Sequence, residues 1–486
     1  MAGKYSDYHR LPLLFKRLSF DSKMAVLFAN SEYVNRVWIQ RPLKELASCP
    51  VPAVLEQLCM LFVDGDEYGN DCLSTKDFEE IYNTVYDQTS DYLHTLAPGA
   101  FTDAVLQEIG LTQFSMQQRH EILRFRYSWL FSYCSDDLNM KETYERKFGV
   151  PYERFEMFAH IFDVFSFVPE SQQKAKVYLY LLNKVFSDCV KVLQISRADY
   201  QEQNAEYSGN SIDNYAYCVR PSYTYALIEW KGILYMPLPH LLTRNVTTSF
   251  IYRLTKGNND LREKMGKHLY EDYLYYLVNS SGAYKAVYTE CDYNKGKNRV
   301  SSPDTMAQVD EDIVLFESKS TVPSAAIRLL SEESISKQIE RLAEHIAQLY
   351  DRMQEFDLYN PFGCAVQKDK LWGIVVVQEY PCTNRKMMYE RAADRHGIAY
   401  DSPEYKWMIT HIHVFDIYEV ESIHLYGGSV METLRQKLSA ERCFDYNTVK
   451  VKEPKPIQDL LEYEERQNQW VQTICDELRR AGLMSD

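Results

Sequence analysis

No run of about 18 apolar residues occurs in this 486-residue chain, and its opening, MAGKYSDY, carries no apolar core of signal-peptide length. The expectation is a cytoplasmic protein, neither secreted nor membrane-spanning. None of the 11 cysteines stands in a C-x-x-C pair, which argues against a structural zinc site or a dense disulfide framework and for reduced thiols. There is no G-x-x-x-x-G-K-[ST] to cradle a phosphate chain and no G-x-S-x-G nucleophile elbow. An ATP-driven motor is therefore not expected. Positive charge is scarce too, with 54 Lys and Arg against 69 Asp and Glu, a net charge of −15. That balance argues against a nucleic-acid coat protein with broad basic surfaces. It does not argue against an enzyme that holds a divalent metal in a carboxylate cluster and needs only a local positive groove.

What is present suits a globular protein: 45% hydrophobic and 25% charged residues. The length exceeds one ordinary core, so several domains are expected. Up to about residue 195 the apolar spacing is helical, as in 53–63, 76–96, 117–133 and 173–194. Residues 198–222 are polar and turn-rich, and a mainly helical domain 1–222 is taken to end there. The hairpin-like YALIEWKGILYMPL comes next, then a helix over 239–256 and another over 261–280 that Asn258-Asn259-Asp260 can cap. Strands are expected at 284–291, 299–307, 312–318 and 371–379, with a long amphipathic helix at 332–355. A helix at 429–440, a Pro-containing linker at 450–458 and a helix at 458–481 complete the chain. The expected fold is α/β, with a second domain 223–430 in α-β-β-β-α-β order and a helical extension 431–486.

The chemistry is expected at the end of the strand IVLF. Glu317 and Lys319 come after that apolar run two apart, so both side chains point to one face. Charges at a buried strand end are costly unless paired or bound to something. The pattern E-x-K occurs five times, and context leaves two, Glu317/Lys319 and Glu229/Lys231 with Asp213 upstream. The first is preferred because strand character continues past Lys231. Pro303-Asp304 lies a hairpin's distance upstream of Glu317, so Asp304 can reach the same face. Asp304, Glu317 and the backbone carbonyl of Ser318 would form a hard oxygen site for Mg²⁺ or Mn²⁺. Lys319, among carboxylates, would keep its proton and orient an attacking water. His411 and His413 are expected to share a strand face, but no third zinc ligand is evident, so packed histidines are expected.

Pro303-Asp304, then Glu317-Ser318-Lys319, within that element order, resembles the PD-(D/E)XK nuclease superfamily over roughly residues 260–380. The resemblance implies a restriction-endonuclease-like fold and metal-dependent hydrolysis of phosphodiester bonds in DNA or RNA. It places metal binding on Asp304 and Glu317, and hydrolysis on Lys319. It adds Gln338, which falls on the apolar stripe Ile335, Ile339, Leu342, Ile346, Leu349, Met353. It also adds Glu271, which sits off the stripe Leu261, Met265, Leu269, Tyr273, Leu277. A protein partner on the helical domain and a role in microbial defence or a mobile element rest on analogy alone. The alternative is a binding module that keeps the fold without the chemistry, and metal binding separates the two.

Overall fold

The computed structural model describes residues 4–40, 45, 48–65, 69–94, 118–322, 332–379, 384–439, 451 and 453–484. Residues 95–96, 117, 440, 450 and 452, at the edges of expected elements, lie outside these. The chain is mixed α/β. Its central feature is a five-stranded sheet formed by β1 (Ala286–Thr289), β2 (Thr305–Val309), β3 (Asp312–Lys319), β4 (Leu371–Val377) and β5 (Ile412–Asp416), in sequence order across the sheet. β2 and β3 pair antiparallel across a two-residue turn, and β1 pairs antiparallel with β2 after a connection that carries the separate ribbon of Asp292–Lys295 and Asn298–Ser301; β4 and β5 add parallel, each after a helical crossover.

The sheet is buried on both faces, and alternation along β3 sorts its side chains. Val314 and Phe316 join a core shared with α1 (His120–Ser132), α2 (Tyr270–Ser280) and α4 (Ile417–His424). Ile313 and Leu315 join a second core beneath α3 (Glu332–Gln354). Gly373 of β4 lets α3 come close, since a Cβ there would stand 2.7 Å from Met353 Sδ. A third core gathers Tyr5 through Val85 with residues 195–241. The first core runs from Ile122 to Leu478, on both sides of residue 222. A small sheet of Gln194–Ser196, Leu227–Trp230 and Ile233–Tyr235 also straddles that position. No helix among the described residues is long and apolar enough to cross a membrane.

Several sequence expectations are corrected. The strand expected at 299–307 is two strands in different sheets, Asn298–Ser301 in a separate ribbon and β2, because Pro303 between them cannot donate to a ladder. The turn-rich 198–222 contains a helix, Arg197–Ser208, whose N-cap Ser196 accepts from Asp199 N and whose C-cap is left-handed Gly209. The helix at 239–256 divides into Leu242–Val246 and Thr248–Thr255. His411 and His413 do not share a strand: His411 ends the helix Pro403–His411 while His413 lies in β5. Their rings bond the carbonyls of Trp407 and Thr410.

Candidate metal centre

The site forms where β3 runs out of its apolar segment. Thr305 of β2 pairs with Phe316 of β3, so the next position back, Asp304, faces Glu317. The N–H of Ser318 donates to Asp304 Oδ2 at 2.6 Å and fixes the carboxylate. Glu317 and Lys319 share a face, as their two-residue spacing requires, and Lys319 Nζ donates to Glu317 Oε1 at 2.6 Å. On the other side of β2, Thr289 pairs with Thr305, and Glu290 N donates to the Asp304 carbonyl at 3.0 Å. That register brings Glu290 beside Asp304.

Glu271 reaches the same place from α2. A π-helical turn, Met265–Leu269, precedes it, and such a turn is wider than an α-turn, so it rotates the residues downstream of it. Beyond the turn, Glu271 is three and seven residues before Leu274 and Val278, both fully buried, so the helix buries a second face that the Leu261-to-Leu277 stripe does not reveal. Gly266 within that turn lets the helix descend on the end of β3, since a Cβ there would stand 3.2 Å from Ser320 Oγ. Carboxylate oxygens of Glu271, Glu290 and Asp304 lie within 4.8 Å of one another.

Electrostatics agree with the geometry. Burial, then Glu317 and Glu271, raises the Asp304 carboxyl well above its ordinary range. Burial, then Glu290 and Glu317, raises Glu271 to about 7. Burial works against charge on Lys319, but Glu317, Asp304 and Glu271 outweigh it and raise its pKa. The ammonium therefore holds its proton at neutral pH. His345 of α3 contacts the Thr321 hydroxyl at 3.2 Å; burial, then Lys319 and Arg341, lowers its pKa to about 3, so it is neutral.

No protein-family model matches this chain, and no curated protein and no solved structure is similar to it.

Of the residues singled out in the sequence, Asp304, Glu317, Ser318, Lys319 and Glu271 meet here. Ser318 touches Asp304 through its N–H. Gln338 is buried on α3 at 6% exposure, and its Nε2 has no hydrogen-bond partner among the described residues, the carboxylates of the cluster included. The rival pair does not converge. Lys231 and Gly232 have positive φ and form the turn between Leu227–Trp230 and Ile233–Tyr235, while Glu229 accepts from Gly232 N at 2.7 Å. Two residues escaped the sequence reading, Glu290 and His345. Strand register could have found Glu290, opposite Asp304; His345 lies seven residues past Gln338, on the same helix face.

The residues fit a divalent cation. Three carboxylates of like charge share a space, their ligand atoms are all hard oxygens, and neutralising cationic charge relieves the repulsion that raises Asp304 and Glu271. A carboxylate raised in the folded state opposes folding once it is ionised, so Asp304→Asn should stabilise the metal-free protein at pH 7. Differential scanning fluorimetry should show melting raised by roughly 1–3 °C, with any shift on adding Mg²⁺ or Mn²⁺ lost. A lower melting temperature would count against the repulsion. Metal must also displace the Glu271 proton, so affinity should rise with pH through about 7. Calorimetry at pH 6 and 8 should differ by about tenfold, and Glu271→Gln should flatten the dependence; a flat wild-type profile removes Glu271 from the ligand set.

Proposed function

We propose that this chain is a metal-dependent nuclease with a restriction-endonuclease-like core, hydrolysing phosphodiester bonds in DNA or RNA. The observation that carries the reading is the convergence of Glu271, Glu290, Asp304, Glu317 and Lys319 from α2, β1, β2 and β3 on one strand end. Gathering carboxylates against their own repulsion needs a compensating ligand. Glu271, Glu290 and Asp304 would hold Mg²⁺ or Mn²⁺. The bound ion supplies charge neutralisation at the phosphate and acidifies water.

The protein's own groups do the rest. Ser318 N–H orients Asp304. Lys319 keeps its proton, so it cannot act as the base; it hydrogen-bonds and positions the attacking water and balances charge developing on the phosphate oxygens. Glu317 holds Lys319 in place through their 2.6 Å contact. Neutral His345 stands close enough to Lys319 to feel its charge, and Gln338, one of the residues the resemblance adds, is buried on the same helix.

The test is incubation with plasmid, single-stranded DNA and RNA in Mg²⁺, Mn²⁺ or EDTA. Cutting in metal and none in EDTA is the expected result. Absence of cutting together with absence of calorimetric metal binding would sink the reading and leave a binding module.

A further inference from the structure

Although the chain is strongly acidic, one cavity of about 480 Å³ has Lys147, Arg244, Arg253 and Lys256 in its wall and no Asp or Glu among its described lining residues. Tyrosines complete the wall, among them Tyr223 and Tyr225. Its size is that of a small-ligand pocket, roughly 300–1,000 Å³. Three buried arginines of this protein are neutralised, Arg124 by Asp163, Arg126 by Glu421 and Arg220 by Glu56, while Arg197 donates to the carbonyls of Val63 and Gly65. Arg244 is not neutralised in this way. Its guanidinium stacks 4.2 Å from the Tyr223 ring centre, and no carboxylate hydrogen-bonds to it among the described residues. Arg253 lies over Tyr225 and spends one N–H on the Val192 carbonyl at 3.1 Å.

The cavity shares part of its wall with a second one. Arg244, Thr248 and Tyr252 also line an inner cavity of about 100 Å³ that reaches Ser320, next to Lys319, and Tyr270, next to Glu271. Gln378 lines it with an Nε2 that is buried and lacks a hydrogen-bond partner among the described residues. Glu379, the one carboxylate in its described lining, accepts from Tyr252 Oη at 3.2 Å.

Unpaired cations interleaved with aromatic faces are what single-stranded nucleic acid needs: phosphates on the cations, bases on the rings. A duplex is too wide for such a cavity. We infer that it receives a nucleotide of an unpaired strand, with phosphate on Arg244 and Lys256 and base against a tyrosine, and hands that strand toward Lys319. The inference deepens the nuclease reading and rests on it for the strand's destination.

Fluorescence anisotropy in EDTA reads binding without cleavage. Labelled 12-nucleotide single strands of DNA and RNA, and the DNA duplex of the same sequence, are titrated with the wild type, Arg244→Ala, and a Lys147→Glu/Lys256→Glu double variant. Both lysines are exposed, so the double variant should melt as the wild type does. Expected is tighter binding of a single strand than of duplex, lost at least tenfold in both variants. The salt slope of the double variant should fall by at least about 0.7, the share of the Lys256 phosphate contact. The tighter of the DNA and RNA strands names the substrate. Equal affinity for single strand and duplex, unchanged in the variants, overturns the inference, and metal-dependent cutting would then leave the nuclease reading standing. Variant-sensitive strand binding without any cutting supports the inference and removes the nuclease reading alone.

Discussion

Lys319→Ala should lower metal-dependent cleavage by at least about 10²–10³-fold while leaving metal affinity and melting temperature nearly unchanged. The basis is geometric. Lys319 stands three residues past Phe316, on the face it shares with Glu317, and its ammonium is in direct contact with the carboxylate cluster. On the proposed reading, removing it takes away a fixed donor at the place where charge would develop during phosphodiester hydrolysis. It also frees Glu317, adding a carboxylate to an already crowded site, so metal affinity should if anything rise slightly. Lys319→Arg keeps the charge but not the compact, rotatable ammonium, and should recover binding of the phosphate more than rate. A gel time course with Mn²⁺, paired with calorimetry, reads both quantities. If Lys319→Ala cuts at the wild-type rate, the role assigned to this residue is wrong, whatever Asp304 proves to do.

Arg126→Ala should cost about 3–5 kcal/mol of stability, the penalty for leaving a buried charge without its partner. Arg126 donates through Nε at 2.7 Å and Nη2 at 2.5 Å to the two oxygens of Glu421, which is fully buried. Tyr273 Oη donates to the same carboxylate at 2.7 Å. α1, α2 and α4 thus meet on one ion pair. Burial opposes charge on Arg126, yet Glu421 raises its pKa well above the ordinary value, so the guanidinium keeps its charge. Chemical denaturation should show the loss, and Arg126→Met with Glu421→Met should restore most of it by removing both charges together. Tyr273 lies two residues after Glu271 on α2, so the single variant should also weaken metal binding. A loss under about 1 kcal/mol would place the pair among weakly coupled contacts.

Much of the sheet domain was legible. An apolar run as dense as IVLF, bounded by charged residues, reads as a buried strand, and the stripe on α3 predicted its buried face, down to Gln338. The pairing of Glu317 with Lys319 came from the period of two. Less legible was any feature set by an irregularity. Pro303 separated two strands that composition merged, and the π-turn before Tyr270 turned Glu271 inward from a position the stripe left outside.

The sequence by itself determined the local geometry: which residues form β3, which face carries Glu317 and Lys319, and where the long helix begins. Those depend on backbone periodicity and apolar spacing over a few residues. Only the tertiary structure decided the company they keep. Glu290 joined Asp304 through strand register, and Glu271 arrived through helix docking over Gly266. Arg244 came to line a cavity that reaches Ser320, the residue after Lys319, from a segment more than 50 residues before Glu317 in sequence. Register, docking and cavity shape are sums over contacts distant in the chain, and no local pattern of residues encodes them.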